Sequence, residues 1–262
     1  MLTFIKLGGS LITDKNIESS YRESVMQRLA GEINAALKQN PGLQILLGHG
    51  SGSFGHFAAK RYRTIAGVHT AEEWRGFAEV ATVASELSNL VAKTLNSAGV
   101  PVWRIQPSAS AVSREGKIID MAIRPVETAL KQGLVPLVFG DVGLDEALGG
   151  TILSTEKIFF YLAHHIPVQR ILLLGEVEGV YDQNKQIIPQ ITPANLPEVE
   201  KALGGSAGTD VTGGMETKVQ DMLALTREVS GLTIRIMDGT QPDLLRKTLL
   251  DEVEPGTLIT AG

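Results

Sequence analysis

The chain has 262 residues and no cysteine, which excludes disulfide scaffolds, thiolate metal sites and cysteine nucleophiles together. Hydrophobic residues make up 43% and charged residues 20%, a globular balance that argues against disorder. The net charge of −5 does not favour a nucleic-acid groove, and the longest apolar runs, such as Leu134–Phe139 and Ile171–Leu174, are too short to span a bilayer.

The first predicted strand is Leu2–Leu7. Lys6 interrupts its apolar start and no small-residue cleavage site follows, so no signal peptide is expected and the protein reads as cytoplasmic. Ser24–Asn40 reads as a helix, with Val25, Leu29, Ile33 and Leu37 on one face. Ser24 and Gln27 fit a capping box, and Pro41-Gly42 stops the helix. A strand over Gln44–Gly48 follows, then a helix starting near Phe57, and a long helical pattern over Ala71–Ala98 with room for a break. Further strands are predicted at Val100–Arg104, Leu134–Phe139, Arg170–Leu174 and Thr233–Met237. Hairpins are predicted at Ser108–Ile119 and Val180–Ile188, and helices at Met215–Glu228 and Pro242–Asp251. Ile45-Leu46-Leu47 and Ile171–Leu174 do not alternate, which suggests strands buried on both faces of a parallel sheet. The recurring strand–helix–strand order gives an α/β class, with Leu144–Gly150 as a candidate boundary between two lobes.

Glycine, at 28 residues, clusters where these strands end. Lys6-Leu7-Gly8-Gly9-Ser10 closes the first strand; paired glycines let backbone N–H groups approach an anion, and Lys6 adds a charge. There is no P-loop string in the chain. Gly48 to His56 closes the second strand. Its Gly50, Gly52 and Gly55 satisfy Gly-x-Gly-x-x-Gly, so a dinucleotide fold competes. Against it, the string follows the second strand, Glu72 and Glu73 sit at a helical start, and the loop carries extra Ser and His side chains. The loop still reads as an anion site, with His56 as a hydrogen-bond donor or a plain surface histidine. Gly140-Asp141 places an acid at a strand end, as a crevice residue or as a turn aspartate. Asp210 to Lys218 leads a glycine pair, Gly213-Gly214, into a helix with Lys218 in its first turn, where a lysine suits a bound anion better than the helix itself. Lysines around glycine turns are what phosphoryl transfer asks for, because its catalysis is positioning and charge stabilisation.

These residues, in this order, resemble the amino acid kinase superfamily over essentially the whole chain. Within it the chain is similar to the isopentenyl phosphate kinases, on Ser10-Leu11-Ile12-Thr13-Asp14-Lys15 and above all on Gly52-Ser53-Phe54-Gly55-His56. The resemblance implies one domain, an open αβα sandwich around a mainly parallel sheet. An acceptor lobe would span about 1–150 and a nucleotide lobe about 151–262. It implies transfer from ATP, with Mg²⁺ held through the nucleotide phosphates, to isopentenyl phosphate in isoprenoid biosynthesis, by a homodimer without nucleic-acid or membrane partners. His56, Lys6, Lys15 and Lys218 would be catalytic. Lys6, Gly8, Gly9, Ser10, Gly175, Asp182, Gly214 and Lys218 would bind the nucleotide; Ser51, Gly52, Gly55, His56 and Gly140 would bind the acceptor. No residue is assigned to a metal.

Phe77, Val80, Val83, Ala84 and Leu87 would offer an apolar slot for the acceptor tail, or plain core. Three departures stand out. Ser154-Thr155-Glu156-Lys157 replaces the usual Ser-Gly-Asp-Asp, with Glu156 expected to keep the carboxylate that organises the lysines. Gly175-Glu176-Val177-Glu178-Gly179 replaces Thr-Asp-Val-Asp-Gly, and Ser51 stands at a common glycine. Two alternatives stay open: a kinase of another small phosphate or phosphonate, and a non-catalytic nucleotide-binding sensor.

Overall fold

In the computed structural model, residues 1–203 and 214–262 are described. The chain begins with β1 (Leu2–Leu7), a single turn α1 (Gly9–Ile12), α2 (Glu23–Gln39), β2 (Gln44–His49), α3 (Gly52–Tyr62) and α4 (Ala71–Ser97). Next come β3 (Val102–Arg104), a hairpin of β4 (Val112–Arg114) and β5 (Lys117–Asp120), α5 (Arg124–Lys131), and β6 (Val135–Phe139). A second hairpin, β7 (Asp141–Asp145) and β8 (Gly149–Leu153), leads into α6 (Thr155–His165) and β9 (Arg170–Gly175). The chain closes with β10 (Gln190–Ile191), α7 (Leu196–Leu203), α8 (Met215–Glu228), β11 (Thr233–Asp238), α9 (Leu244–Leu249) and β12 (Thr257–Ile259).

An eight-stranded sheet has the order β10-β12-β11-β9-β1-β2-β6-β3. Its pairs are parallel except β11 with β12. The central strands show why the apolar runs do not alternate. Phe4, Leu46, Val138, Ile171 and Leu173 pack with Phe159 and Leu162 of α6 and Val219 and Met222 of α8. Their neighbours Ile5, Leu7, Ile45, Leu47, Leu172 and Leu174 pack on the other face with Met26, Leu29 and Ile33 of α2 and Leu87 and Val91 of α4. Both faces are covered, which makes an αβα sandwich. The two hairpins form a separate sheet of order β5-β4-β7-β8. The expected lobe boundary near residue 150 falls inside β8.

Some element ends differ from expectation. The cap of α2 is Arg22 without a side-chain bond; Gln27 Nε2 donates to Glu23 Oε1 instead of closing a box with Ser24. The long helix α4 runs unbroken, and its capping box is Thr70 with Glu73. The expected helix Pro242–Asp251 narrows to α9, because Asp243 stands before it at φ 65°. Buried Glu32 of α2 accepts the Asp243 and Leu245 N–H groups there, both at 3.0 Å. The helix expected near Phe57 starts earlier, at Gly52, so His56 lies inside α3. Gly48 sets how closely α6 approaches the sheet: a Cβ there would lie 2.6 Å from Thr155 Cγ2 and 2.7 Å from Phe159 Cε1.

Candidate active site

The site forms where β1, β2, β6 and β9 end. The glycines that follow continue the ladder: Gly8 N–H donates to Leu174 O (2.8 Å), Gly50 N–H to Leu7 O (3.1 Å), and Gly140 N–H to His49 O (3.0 Å). The turns after β1 and β2 are in contact. A Cβ on Gly9 would lie 2.8 Å from Gly52 N and Cα, and one on Gly50 would lie 3.0 Å from Gly9 N. Gly52 adopts φ 50°, which favours glycine. The N–H groups of Ser51, Gly52 and Phe54 at the start of α3, and of Gly9 and Ser10 beside them, donate to no protein acceptor among the described residues. Unused donors at a helix start, with the helix dipole behind them, favour an anion.

The second component is charge. Glu156, the second residue of α6, accepts a hydrogen bond from Lys6 Nζ of β1. Burial works to raise the Glu156 carboxyl, but Lys6 and then Lys218 outweigh it and hold it below the usual carboxylate range. Glu156 thus pairs with Lys6 and feels the charge of Lys218, and two ammonium groups against one carboxylate leave a net positive charge. The gained Lys157 points elsewhere. Its Nζ lies 3.1 Å from where a Cβ on Gly116 would be, at the turn of the β4–β5 hairpin. Burial lowers its pKa, while Asp145 and Asp221 favour its charge. Asp221, three residues after Lys218, is pushed up by burial and then by Glu156. Thr155 is absorbed too: its hydroxyl donates to His49 O at 2.6 Å.

The remaining expected residues are spread around this core. Gly140 abuts the acceptor turn, since a Cβ on it would lie 3.5 Å from both Ser51 N and Thr155 Oγ1. Gly55 packs on Ser51, whose Oγ would be 2.6 Å from an added Cβ. His56 follows in α3 and is exposed. Gly175 ends β9 and accepts the Gly239 N–H at 2.8 Å. Gly214 precedes α8, and its carbonyl accepts the Lys218 N–H at 3.2 Å. Lys15 is exposed on the turn at 14–19 and makes no ion pair among the described residues. Asp182 spends Oδ1 on the Asn184 and Gln186 N–H groups, both at 2.8 Å, within the expected hairpin turn. The expectations on Asp210, Thr212 and Gly213 lie outside the described residues.

Asp141 opens β7, is buried, and accepts the Ser108 and Val142 N–H groups. The apolar stripe of α4 divides. Leu87 belongs to the large core, whereas Val80 and Phe77 join Ala58, Val142 and Ile152 in a small cluster between α3, α4 and the β7–β8 hairpin. Sequence reasoning missed Asp221, although its spacing from Lys218 puts both on one face of a helix. It also missed His49 as a site residue. His49 is fully buried and stacked on Phe139, and its Nδ1–H donates to Gly50 O at 2.9 Å. Burial pushes it down to about 4, against the Gly50 bond and with help from Arg104. Its Nε2 has no protein partner among the described residues.

Residues 1–238 match the amino acid kinase family. The chain belongs to the amino acid kinase family. Among its relatives in that family, the isopentenyl phosphate kinase of Methanocaldococcus jannaschii is 35% identical over 261 residues, covering 97% of each chain. That of Methanothermobacter thermautotrophicus is 32% identical over 270 residues, covering 99% of each. A solved isopentenyl phosphate kinase superposes with a TM-score of 0.83 at 28% identity, over 99% of this chain and 100% of that one. A carbamate kinase from Giardia lamblia, at 14% identity and a TM-score of 0.73, shares the amino acid kinase fold.

Proposed function

We propose that this protein transfers the γ-phosphoryl group of ATP to isopentenyl phosphate, giving isopentenyl diphosphate and ADP. The observation that carries the reading is the meeting of the β1 and β2 glycine turns beside the Lys6–Glu156–Lys218 trio. One turn would hold the donor phosphates and the other the acceptor phosphate. The near-full-length similarity to isopentenyl phosphate kinases supports the choice of acceptor.

The chemistry follows from charge. A phosphate monoester is largely dianionic near pH 7, since its second pKa is about 6. An oxygen of the acceptor attacks the γ-phosphorus as the bond to the ADP oxygen breaks, and no general base is required. Lys6 and Lys218 would stabilise the charge that builds on the transferring oxygens. Glu156, which accepts a hydrogen bond from Lys6, would direct that ammonium group toward the transferring phosphoryl group. The free N–H groups at the start of α3, with His56, would bind the acceptor phosphate. The small cluster around Phe77 and Val80 would take the apolar tail, because Ala58 and Ala59 of α3 lie within a turn of His56.

Among the described residues no cluster of three His, Asp or Glu side chains fits a metal ion. The carboxylate nearest the lysines is already engaged by Lys6. Mg²⁺ would enter with the nucleotide, held through its phosphates, and would add charge stabilisation there.

The reading includes a cytoplasmic homodimer. No helix among the described residues is long and apolar enough to cross a membrane. β3 is the outermost strand on one side of the sheet and carries Trp103, 44% exposed. Such an edge suits a second copy, and a sedimentation mass of one chain would remove that part.

The test is ADP release from ATP–Mg²⁺ with and without isopentenyl phosphate, with the product identified by mass. Stimulated release with isopentenyl diphosphate is expected. His56→Ala is expected to lower turnover by roughly 10²-fold with the fold intact, the scale of losing one charge-stabilising donor. An unchanged rate would remove His56 from the acceptor site.

A further inference from the structure

The two glycine turns meet, and one side chain joins them. Thr13 follows α1 and is fully buried. Its hydroxyl donates to Gly9 O at 2.7 Å and accepts the Ser53 N–H at 2.9 Å. Gly9 belongs to the turn after β1, and Ser53 is the second residue of α3 after β2. One oxygen thus uses its proton on the donor-side turn and a lone pair on the acceptor-side turn. The fit is tight: a Cβ on Gly52 would lie 2.3 Å from Thr13 Oγ1 and 2.7 Å from its Cγ2.

The attachment is reinforced from the same segment. The Thr13 N–H also donates to Gly9 O, at 2.9 Å. Ser53 Oγ accepts the Ser20 N–H at 3.2 Å, and Ser20 O accepts the Asp14 N–H at 3.1 Å. Of the N–H groups at the start of α3, that of Ser53 is taken by Thr13. Those of Ser51, Gly52 and Phe54 are left without a protein acceptor among the described residues. Thr13 therefore fixes the pitch at which α3 presents its free donors, relative to the Gly8–Ser10 backbone.

We propose that Thr13 is a positioning residue for phosphoryl transfer, whose hydroxyl sets the distance and angle between the donor-phosphate turn and the acceptor-phosphate turn. The inference rests on the functional reading above. Each turn keeps its own binding groups when the hydroxyl is lost. What changes is their relative placement, and in-line transfer is steeply sensitive to that: a misplacement of about 1 Å can cost on the order of 10²-fold in rate. The loss falls on turnover more than on either substrate's binding.

The experiment compares Thr13→Val, Thr13→Ala and Thr13→Ser. Val keeps the shape and removes both hydrogen bonds. Ala removes the hydroxyl without placing a new methyl beside Gly52, and serves if Val does not fold. Ser keeps the hydroxyl. Expected in steady-state assays of folded, active-site-titrated protein is a fall in kcat of roughly 30- to 100-fold for Val or Ala. The KM for ATP and for isopentenyl phosphate should each change by less than about threefold, and Ser should stay within about threefold of the parent in kcat. A kcat loss that Ser does not rescue, or a loss confined to one KM, overturns the proposal. Amide hydrogen exchange on the substrate-free protein tests the tether itself. Segment 50–56 should exchange at least tenfold faster in Thr13→Val than in the parent, with the β1 and β9 core unchanged. Equal protection overturns the proposal whatever the acceptor is. A parent enzyme that fails to make isopentenyl diphosphate, while the exchange difference holds, sinks the acceptor assignment and leaves the tether standing.

Discussion

The two ends of the central sheet are finished by different means. At the carboxyl end, Gly8, Gly50, Gly140 and Gly239 extend the ladder by one backbone bond each. At the amino end, long side chains tie the strands down. Gln169 Oε1 accepts the Leu2 N–H at 2.8 Å, Arg170 reaches Thr3, Thr248 O and Asp251, and Arg235 Nη1 donates to Pro255 O at 2.7 Å. The difference is one of unused hydrogen-bonding capacity. Side chains at the amino end take up backbone groups of both kinds, the Leu2 N–H and the Thr248 and Pro255 carbonyls, whereas glycines at the carboxyl end leave neighbouring N–H groups open to a ligand. One sheet thus carries its anchoring at one edge and its chemistry at the other.

That contrast can be broken from either edge. The largest effect is expected at the carboxyl end: Lys218→Ala should lower kcat by roughly 10²- to 10³-fold, with little change in the thermal midpoint. Retention of more than about a tenth of the parent rate would detach α8 from the chemistry.

His49 sharpens the comparison, because it belongs to the carboxyl edge but is buried under it. Its folded pKa of about 4 lies below that of a free histidine, so the unfolded chain takes up a proton first. The stability linked to His49 is complete above about pH 6.5 and is lost as the pH falls toward 4, by up to roughly 3 kcal/mol. Chemical denaturation across this window should show that slope, and His49→Phe should flatten it. A parent slope that persists in the variant would assign the acid loss to other groups.

The smallest of these effects is at the amino edge. Arg170→Met should cost about 1–3 kcal/mol of stability through the lost hydrogen bonds to Thr3, Thr248 O and Leu249 O, with kcat within about twofold of the parent. A clear loss of turnover there would mean that the two edges are not separable.

The sheet was legible because its strands are continuous apolar runs bounded by glycine, as in Ile45–Leu47 before Gly48 and Ile171–Leu174 before Gly175. Lys6 and Lys218 stood out as candidates because each sits near a glycine pair, whereas Lys15 was named on the resemblance alone. The polar groups that hold the turns together were not legible. Thr13 meets Ser53 at a separation of 40 residues and Thr155 meets His49 O at 106; the Lys6–Glu156 pair, at 150, was expected from the family resemblance alone. Local periodicity carries no trace of such pairs. The helix α6 went unread because Ile158, Phe159, Leu162 and Ala163 pack into one core while its first turn is polar, so the start resembles a loop. The short strands β10 and β12, of two and three residues, are fixed by pairing with each other and with β11, not by their own pattern.

The missing side chain at Gly48 has an evolutionary consequence. Its hydrogen faces the Phe159 ring and the Thr155 methyl, at distances that no methyl group could share. Positions 48, 155 and 159 therefore share one volume. A lineage cannot enlarge the first without yielding space at both of the others, and Gly48→Ala should become tolerable only alongside smaller residues at 155 and 159. A mutational library that varies position 48 alone would score it as invariant, although the restriction belongs to the three together.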